Sequence, residues 1–236
     1  MSQKSTSPSN KTWIYVGGAV LAVLVAVLIA FSVTRGGDKD ELTGVGDITT
    51  MLKGIPSKGL VLGKETAPVT IIEFIDPQCP HCAEASKSII PDLVARHVRT
   101  GDVKLQLAPI AFISPTENGQ KANRAIWAAG QQGKAWTFTE VLFHNQGAEG
   151  TRWLDDGMID SVAGAVGLDK AAFDEARGTA AAQNALEESM QLATANKVSG
   201  TPTFLARNTK TQGQVNVEDL TPAGFDAAIA AVAADS

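Results

Sequence analysis

Two cysteines stand three residues apart, Cys79 and Cys82, with Pro80 and His81 between them. They are the only cysteines in the chain. At helical i, i+3 spacing both sulfurs lie on one face, near enough to bridge. Pro80 suits the first turn of a helix, where its missing N–H costs nothing. A helix opening at this point offers unpaired N–H groups and the positive end of its dipole to a thiolate at Cys79. The His81 imidazole can add positive charge or a hydrogen bond. Such settings draw a cysteine from its usual pKa of about 8.5 toward roughly 3.5–7.5, and the thiolate is the species that attacks disulfides. In this reading Cys79 is the exposed nucleophile. Cys82, one turn deeper, is the shielded resolving thiol.

Other readings of the pair are weaker. Half of a zinc site would need a second CxxC or paired histidines, and His97 and His144 are scattered along the chain. A structural bridge closing so small a loop would remove little chain entropy. No metal is expected, and no cofactor beyond the redox-active Cys79–Cys82 pair itself.

These residues need a strand before them and a helix behind them, and the sequence supplies both. Val69–Ile75 (VTIIEFI) is β-branched and aromatic throughout, as a buried central strand requires, and Asp76-Pro77 ends it. A helix follows from about Pro80 to Val98, with a kink expected at Pro91. Val103–Leu107 reads as a second strand, completing a βαβ unit with a parallel pair, and Leu60–Leu62 as a short edge strand. Residues 117–197 carry helical periodicity, with Asp155 and Asp169 as caps. Thr203–Arg207 and Gln214–Val217 read as a strand pair, and Thr221-Pro222 as the start of a last Ala-rich helix.

The stretch VTIIEFIDPQCPHC, from Val69 to Cys82, resembles the active-site region of the DsbA family of thiol oxidases. Gly200-Thr201-Pro202-Thr203-Phe204 is similar to the segment that carries a cis-proline opposite the CxxC in thioredoxin-fold proteins. The specific match is confined to residues 69–82 and 198–204, while the element order extends it over about 59–236. The resemblance implies an α/β thioredoxin fold with an inserted helical subdomain at about 115–198. It implies that Cys79, Pro80, His81 and Cys82 form the catalytic motif and that Thr201 and Pro202 bind substrate backbone. It also implies that Glu73 is a buried acid serving the proton of Cys82, chemically sensible because thiolate formation needs an acceptor. Trp127, Trp136 and Trp153 lie in the insertion and read as core residues rather than a substrate surface.

The 236 residues are 44% apolar and 19% charged, with net charge −5. That composition fits a globular protein and gives nucleic acid no electrostatic footing. Trp13–Val33 holds no charge over 21 residues. As a helix it would span roughly 31 Å, enough to cross a bilayer core. A cleaved signal peptide is the alternative, but its apolar core is shorter, roughly 7–15 residues. The chain therefore reads as a cytoplasmic tail (1–12), one transmembrane anchor (13–33), a linker (34–58) and an extracytoplasmic domain (59–236), on a single-pass cell-membrane protein. Lys4, Lys11, Arg35 and Lys39 flank the span evenly, so orientation rests on resemblance to an export signal and on the oxidising compartment the chemistry wants.

By the same resemblance, the activity is the introduction of disulfides into unfolded, cysteine-containing exported proteins. A quinone-linked membrane oxidase, DsbB-like or vitamin-K-epoxide-reductase-like, would restore the Cys79–Cys82 bridge. An isomerase or reductase of the same fold, or a peptide-binding chaperone module without chemistry, are the competing readings.

Overall fold

The computed structural model describes residues 42–112, 117–148 and 151–234. The expected tail, the transmembrane span and most of the linker, residues 1–41, lie outside the described residues. Among the described residues no helix is long and apolar enough to cross a membrane.

The fold begins earlier than residue 59. Residues 42–58, read above as linker, hold helix α1 (Val45–Leu52) and strand β1 (Ser57–Lys58). The physical reason is an apolar pair at i, i+4: Ile48 and Leu52 are buried, and α1 packs on helix α5 (Ala135–His144). Gly44 starts α1 at φ 77°, and a Cβ there would meet the His144 ring at 2.9 Å. Only glycine fits that approach without strain.

Six strands form one sheet in the order β1-β2-β4-β3-β5-β6. They are β1, β2 (Val61–Leu62), β3 (Val69–Ile75), β4 (Val103–Pro109), β5 (Thr203–Asn208) and β6 (Gln214–Asn216). β2 is therefore internal, with β1 outside it. β3 is buried at every position and runs parallel to β4 and antiparallel to β5, so it is the central strand. The two faces of β3 serve different cores. Ile71 and Ile75 join the large core with Cys79, Cys82 and the helical subdomain, while Ile72 and Phe74 join a smaller one with Leu205 and Ala193.

Helix α2 (Pro80–Ser88) breaks before Pro91 rather than bending at it. Ile89 sits at φ −96°, α3 (Ile90–Leu93) restarts with Pro91 in its first turn, and a π-helical turn covers Val94–Val98. Pro91 cannot donate to the carbonyl four residues back, so a boundary just upstream of it costs less than a kink inside a continuous helix.

The helical insertion consists of α4 (Glu117–Gln131), α5, α6 (Asp156–Ala165), α7 (Lys170–Arg177) and α8 (Ala180–Ala195). Asp155 accepts from Met158 N and Asp169 from Ala172 N, as N-caps do. Trp136 is fully buried and donates from Nε1 to the Leu60 carbonyl at 3.0 Å. Trp127 and Trp153 are partly buried against the same core. Thr221 caps the last helix, α9 (Pro222–Ala233), whose Phe225 packs edge-to-face on Phe204 of β5.

Candidate active site

Cys79 occupies the N-cap of α2 in an extended conformation, with Pro80 at the first helical position. The preceding turn is held by Asp76, a fully buried carboxylate. Its two oxygens accept from the backbone N–H of Gln78 at 2.9 Å and of Phe112 at 2.8 Å. One side chain thus fixes both the CxxC loop and the loop that follows β4. Gln146, just beyond α5, donates from its side-chain amide to the carbonyls of Pro77 and Cys79, each at 3.1 Å.

Both cysteines are free thiols. The Cys79 thiol donates to the Thr201 carbonyl at 3.1 Å, and the Thr201–Pro202 peptide bond is cis. The two distant motifs, CPHC and GTPTF, therefore meet at one sulfur. The Cys82 thiol, then the Thr201 hydroxyl, then the backbone N–H groups of Cys82 and His81 donate toward that sulfur. Together they pull its pKa down to about 6 against partial desolvation. The carbonyl acceptor favours the neutral thiol, but these donors outweigh it. Cys82 moves the other way. Burial pushes its thiol far up, the bond it gives Cys79 adds to this, and only the Asp76 backbone N–H opposes.

One expectation needs correction. Cys79 is only 3% exposed, not an open nucleophile. The Thr201 segment covers it, and access is by way of a cavity of about 490 Å³ lined by Cys79, Pro80, His81, Phe112 and Ser199 to Thr201. His81 lies at the rim of the same cavity. Its side chain is 76% exposed, and Nδ1 pairs with Glu84 one turn on at 3.0 Å. Its backbone N–H is one of the groups that lower the Cys79 pKa. An exposed pair of this kind contributes little energy.

Glu73 is 2% exposed, on the sheet face that meets Cys82. Burial, and then the neighbouring Glu140, hold its carboxyl well above the usual carboxylate range. Glu140 on α5 was not singled out from sequence, nor were Ser86, Asp76 as an anchor, Gln146 or Phe112. A signal for Glu140 existed: it is the one acid in the apolar helix AWTFTEVLF, where no face is left for solvent. Phe112 is 39% exposed at the rim of the cavity, and no local pattern marks it.

A thiol of lowered pKa at a helix mouth, a buried thiol of raised pKa one turn behind it, a buried acid and a cavity bounded by a cis-proline segment make up the site. The thioredoxin family model matches residues 57–223. This chain belongs to the thioredoxin family. Within the family its described fold is similar to BdbD from Bacillus subtilis in the oxidised state, with a TM-score of 0.62 and 20% identity over 76% of this chain and 98% of that one. By sequence, this thioredoxin-family chain is 31% identical to disulfide bond formation protein D of Bacillus subtilis over 113 residues, 48% of this chain and 49% of that protein. It is also 29% identical over 208 residues to the Na(+)/H(+) antiporter NhaA 1 of Salinispora arenicola, covering 87% of this chain and 30% of that protein. The chain thus spans no more than about half the length of these two relatives.

Proposed function

We propose that this chain is a thiol–disulfide oxidoreductase working as a dithiol oxidase through Cys79 and Cys82. The observation that carries the reading is the asymmetry of the two sulfurs. Cys79 has a pKa near 6 at a helix N-terminus, while burial keeps Cys82 protonated. At pH 7 a thiol of pKa 6 is ionised about ten to one, which stabilises the reduced form and makes the disulfide oxidising.

The steps follow from the geometry. A substrate thiolate entering beside Phe112 attacks Cys79 Sγ, the Cys79–Cys82 bond breaks, and Cys82 leaves with the electron pair and takes a proton. A second substrate thiolate then attacks the substrate sulfur of the mixed disulfide and expels Cys79 as its stabilised thiolate. The substrate loses two electrons and the protein gains them. The segment at Thr201–Pro202 flanks Cys79, where it can hold the extended backbone of a bound cysteine peptide. His81, at the rim of the same cavity, meets the substrate as it enters.

The substrates we assign are unfolded exported proteins with cysteines. The reoxidant we assign is a quinone-linked membrane oxidase, DsbB-like or vitamin-K-epoxide-reductase-like. Relatives named for disulfide bond formation support the direction. The uncharged run Trp13–Val33 supports a single-pass anchor with the domain outside the cell membrane. Fractionation of the expressing cell tests the anchor: recovery of the full chain in the soluble fraction would refute it.

Equilibration of the protein in glutathione buffers tests the activity. A reduction potential more oxidising than about −200 mV is expected, whereas a value near the roughly −270 mV of thioredoxin would assign a reductase. Substitution Cys79→Ala should abolish oxidation of a reduced peptide; a wild-type chain that oxidises no peptide, yet holds an unfolded one as well as Cys79→Ala does, would assign a chaperone module.

A further inference from the structure

We propose that Asp76 is a positioning residue for substrate binding: its carboxylate holds the Phe112 rim in register with the Cys79 turn, so that a cysteine peptide seated on the rim presents its sulfur to Cys79. The proposal rests on the oxidoreductase reading above.

The need for such a residue arises where the sheet ends. β3 and β4 run parallel as far as Ile75 and Pro109, and the bond from Ile110 N to the Ile75 carbonyl at 2.8 Å closes that ladder. Beyond it the two segments take different roles. Asp76-Pro77-Gln78 leads to Cys79, and Ala111-Phe112 leads to the rim of the cavity beside that sulfur. Past the ladder, one fully buried side chain spans the two. Asp76 Oδ1 accepts from Gln78 N at 2.9 Å, and Oδ2 from Phe112 N at 2.8 Å. A carboxylate suits this place because both oxygens accept and neither donates. It satisfies two backbone N–H groups that have left the sheet.

The two sides of this bridge are not held equally. The Cys79 turn has other supports. Cys79 N donates to the Asp76 carbonyl at 2.9 Å, Cys82 N to the Cys79 carbonyl at 3.1 Å, and Gln146 holds the Pro77 and Cys79 carbonyls. Among the described residues, the acceptor for the Phe112 N–H is the Asp76 carboxylate. Loss of that carboxylate therefore leaves the sulfur in place and releases the ring. Asparagine at this position keeps the local bond to Gln78, two residues on, and turns an N–H donor toward Phe112 N. Two donors facing one another in a buried place are driven apart.

Phe112 is thus an exposed aromatic ring on a backbone that is tied down. A ring fixed in advance asks little further ordering when a peptide binds, whereas a loose one must be immobilised first. That cost falls on bound substrate and transition state alike, so it appears in KM rather than in kcat. In the exchange itself Asp76 gives up no proton and takes no electrons. Its part is to keep the distance between the ring that receives the peptide and the sulfur that receives the peptide's thiolate.

The test is the steady-state oxidation of a reduced cysteine peptide, with an apolar residue beside its cysteine, by the full chain. In Asp76→Asn, KM should rise about threefold to tenfold while kcat falls by less than about twofold. In a Phe112→Ser background, Asp76→Asn should add less than about twofold to KM, because the ring it positions is gone. An unmoved KM, a loss carried by kcat, or an equal further rise in the Phe112→Ser background would overturn the proposal. Should Asp76→Asn not fold, hydrogen exchange decides. With the peptide trapped on Cys79 in a Cys82→Ala chain, the amides of Gln78 and Phe112 should both exchange about tenfold more slowly than in the free chain, because a seated ring keeps their shared acceptor closed. Slowing at Phe112 alone, or at neither, would count against Asp76 in the same way. A wild-type chain that oxidises neither the peptide nor dithiothreitol would instead sink the oxidoreductase reading, and this proposal with it.

Discussion

The side-chain amide of Gln146 donates to the backbone carbonyl of Cys79 across 3.1 Å, joining the end of α5 to the mouth of α2. The same nitrogen reaches the Pro77 carbonyl, so one residue of the insertion holds both ends of the turn that presents the nucleophile. Asn145 beside it exchanges hydrogen bonds with the backbone of Thr43, which ties the start of the described fold to the end of α5. Gln146→Ala should cost about 1–2 kcal/mol of stability, the worth of two such bonds, measured by urea unfolding. Faster hydrogen exchange should be confined largely to residues 77–82.

The stability of the two redox states should diverge with pH. The Cys79 pKa is lowered on folding, to about 6 from an ordinary 9.0, so its ionisation favours the folded dithiol. That contribution is absent below pH 6, grows between 6 and 9, and is complete above 9. The oxidised form has no thiol to ionise. Reduced minus oxidised unfolding free energy should therefore rise by about 1.4 kcal/mol per pH unit inside that window. Parallel curves for the two states would contradict the lowered thiol.

Glu140 gives the opposite sign. Its folded value, about 8, lies above its ordinary 4.5, so the fold favours the neutral acid. Stability from this group is full below 4.5 and is lost as pH rises toward 8. Glu140→Gln has nothing to ionise there. The variant should gain on the wild type by up to about 1.4 kcal/mol per pH unit across that interval, read from urea midpoints at pH 5 and 8.

Phe112 lines the cavity beside Cys79 and is held by its backbone to Asp76. An apolar ring there has a peptide to bind and no sulfur to activate. Phe112→Ser should raise KM for a reduced cysteine peptide about threefold to tenfold, the worth of partly burying an aromatic ring. The rate with a small thiol such as dithiothreitol should stay unchanged.

Much of this architecture was legible in the chain because its signals are local. The run VTIIEFI has no face to give to water, so it became the central strand. Pro80 and Thr221-Pro222 mark helix starts, and Asp155 and Asp169 cap theirs with their own side chains. The region before residue 59 was misread for the same reason. Gly44, Gly46 and Gly54 look like a tether, and the Ile48–Leu52 pair that makes α1 has meaning only once α5 is there to cover it.

Residue types and spacing alone determined that two thiols would sit at a helix start, the outer one ionised and the inner one not. The tertiary structure decided what surrounds them. Thr201 approaches Cys79 over a separation of 122 residues and covers it, which no local pattern encodes. His81 pairs with Glu84, a carboxylate one turn along the same helix. Glu140 and Glu73 are 67 positions apart in sequence, and no local pattern pairs them. Both are buried in the fold, and charge interactions grow as the dielectric falls, so Glu140 adds to the upward push that burial gives Glu73.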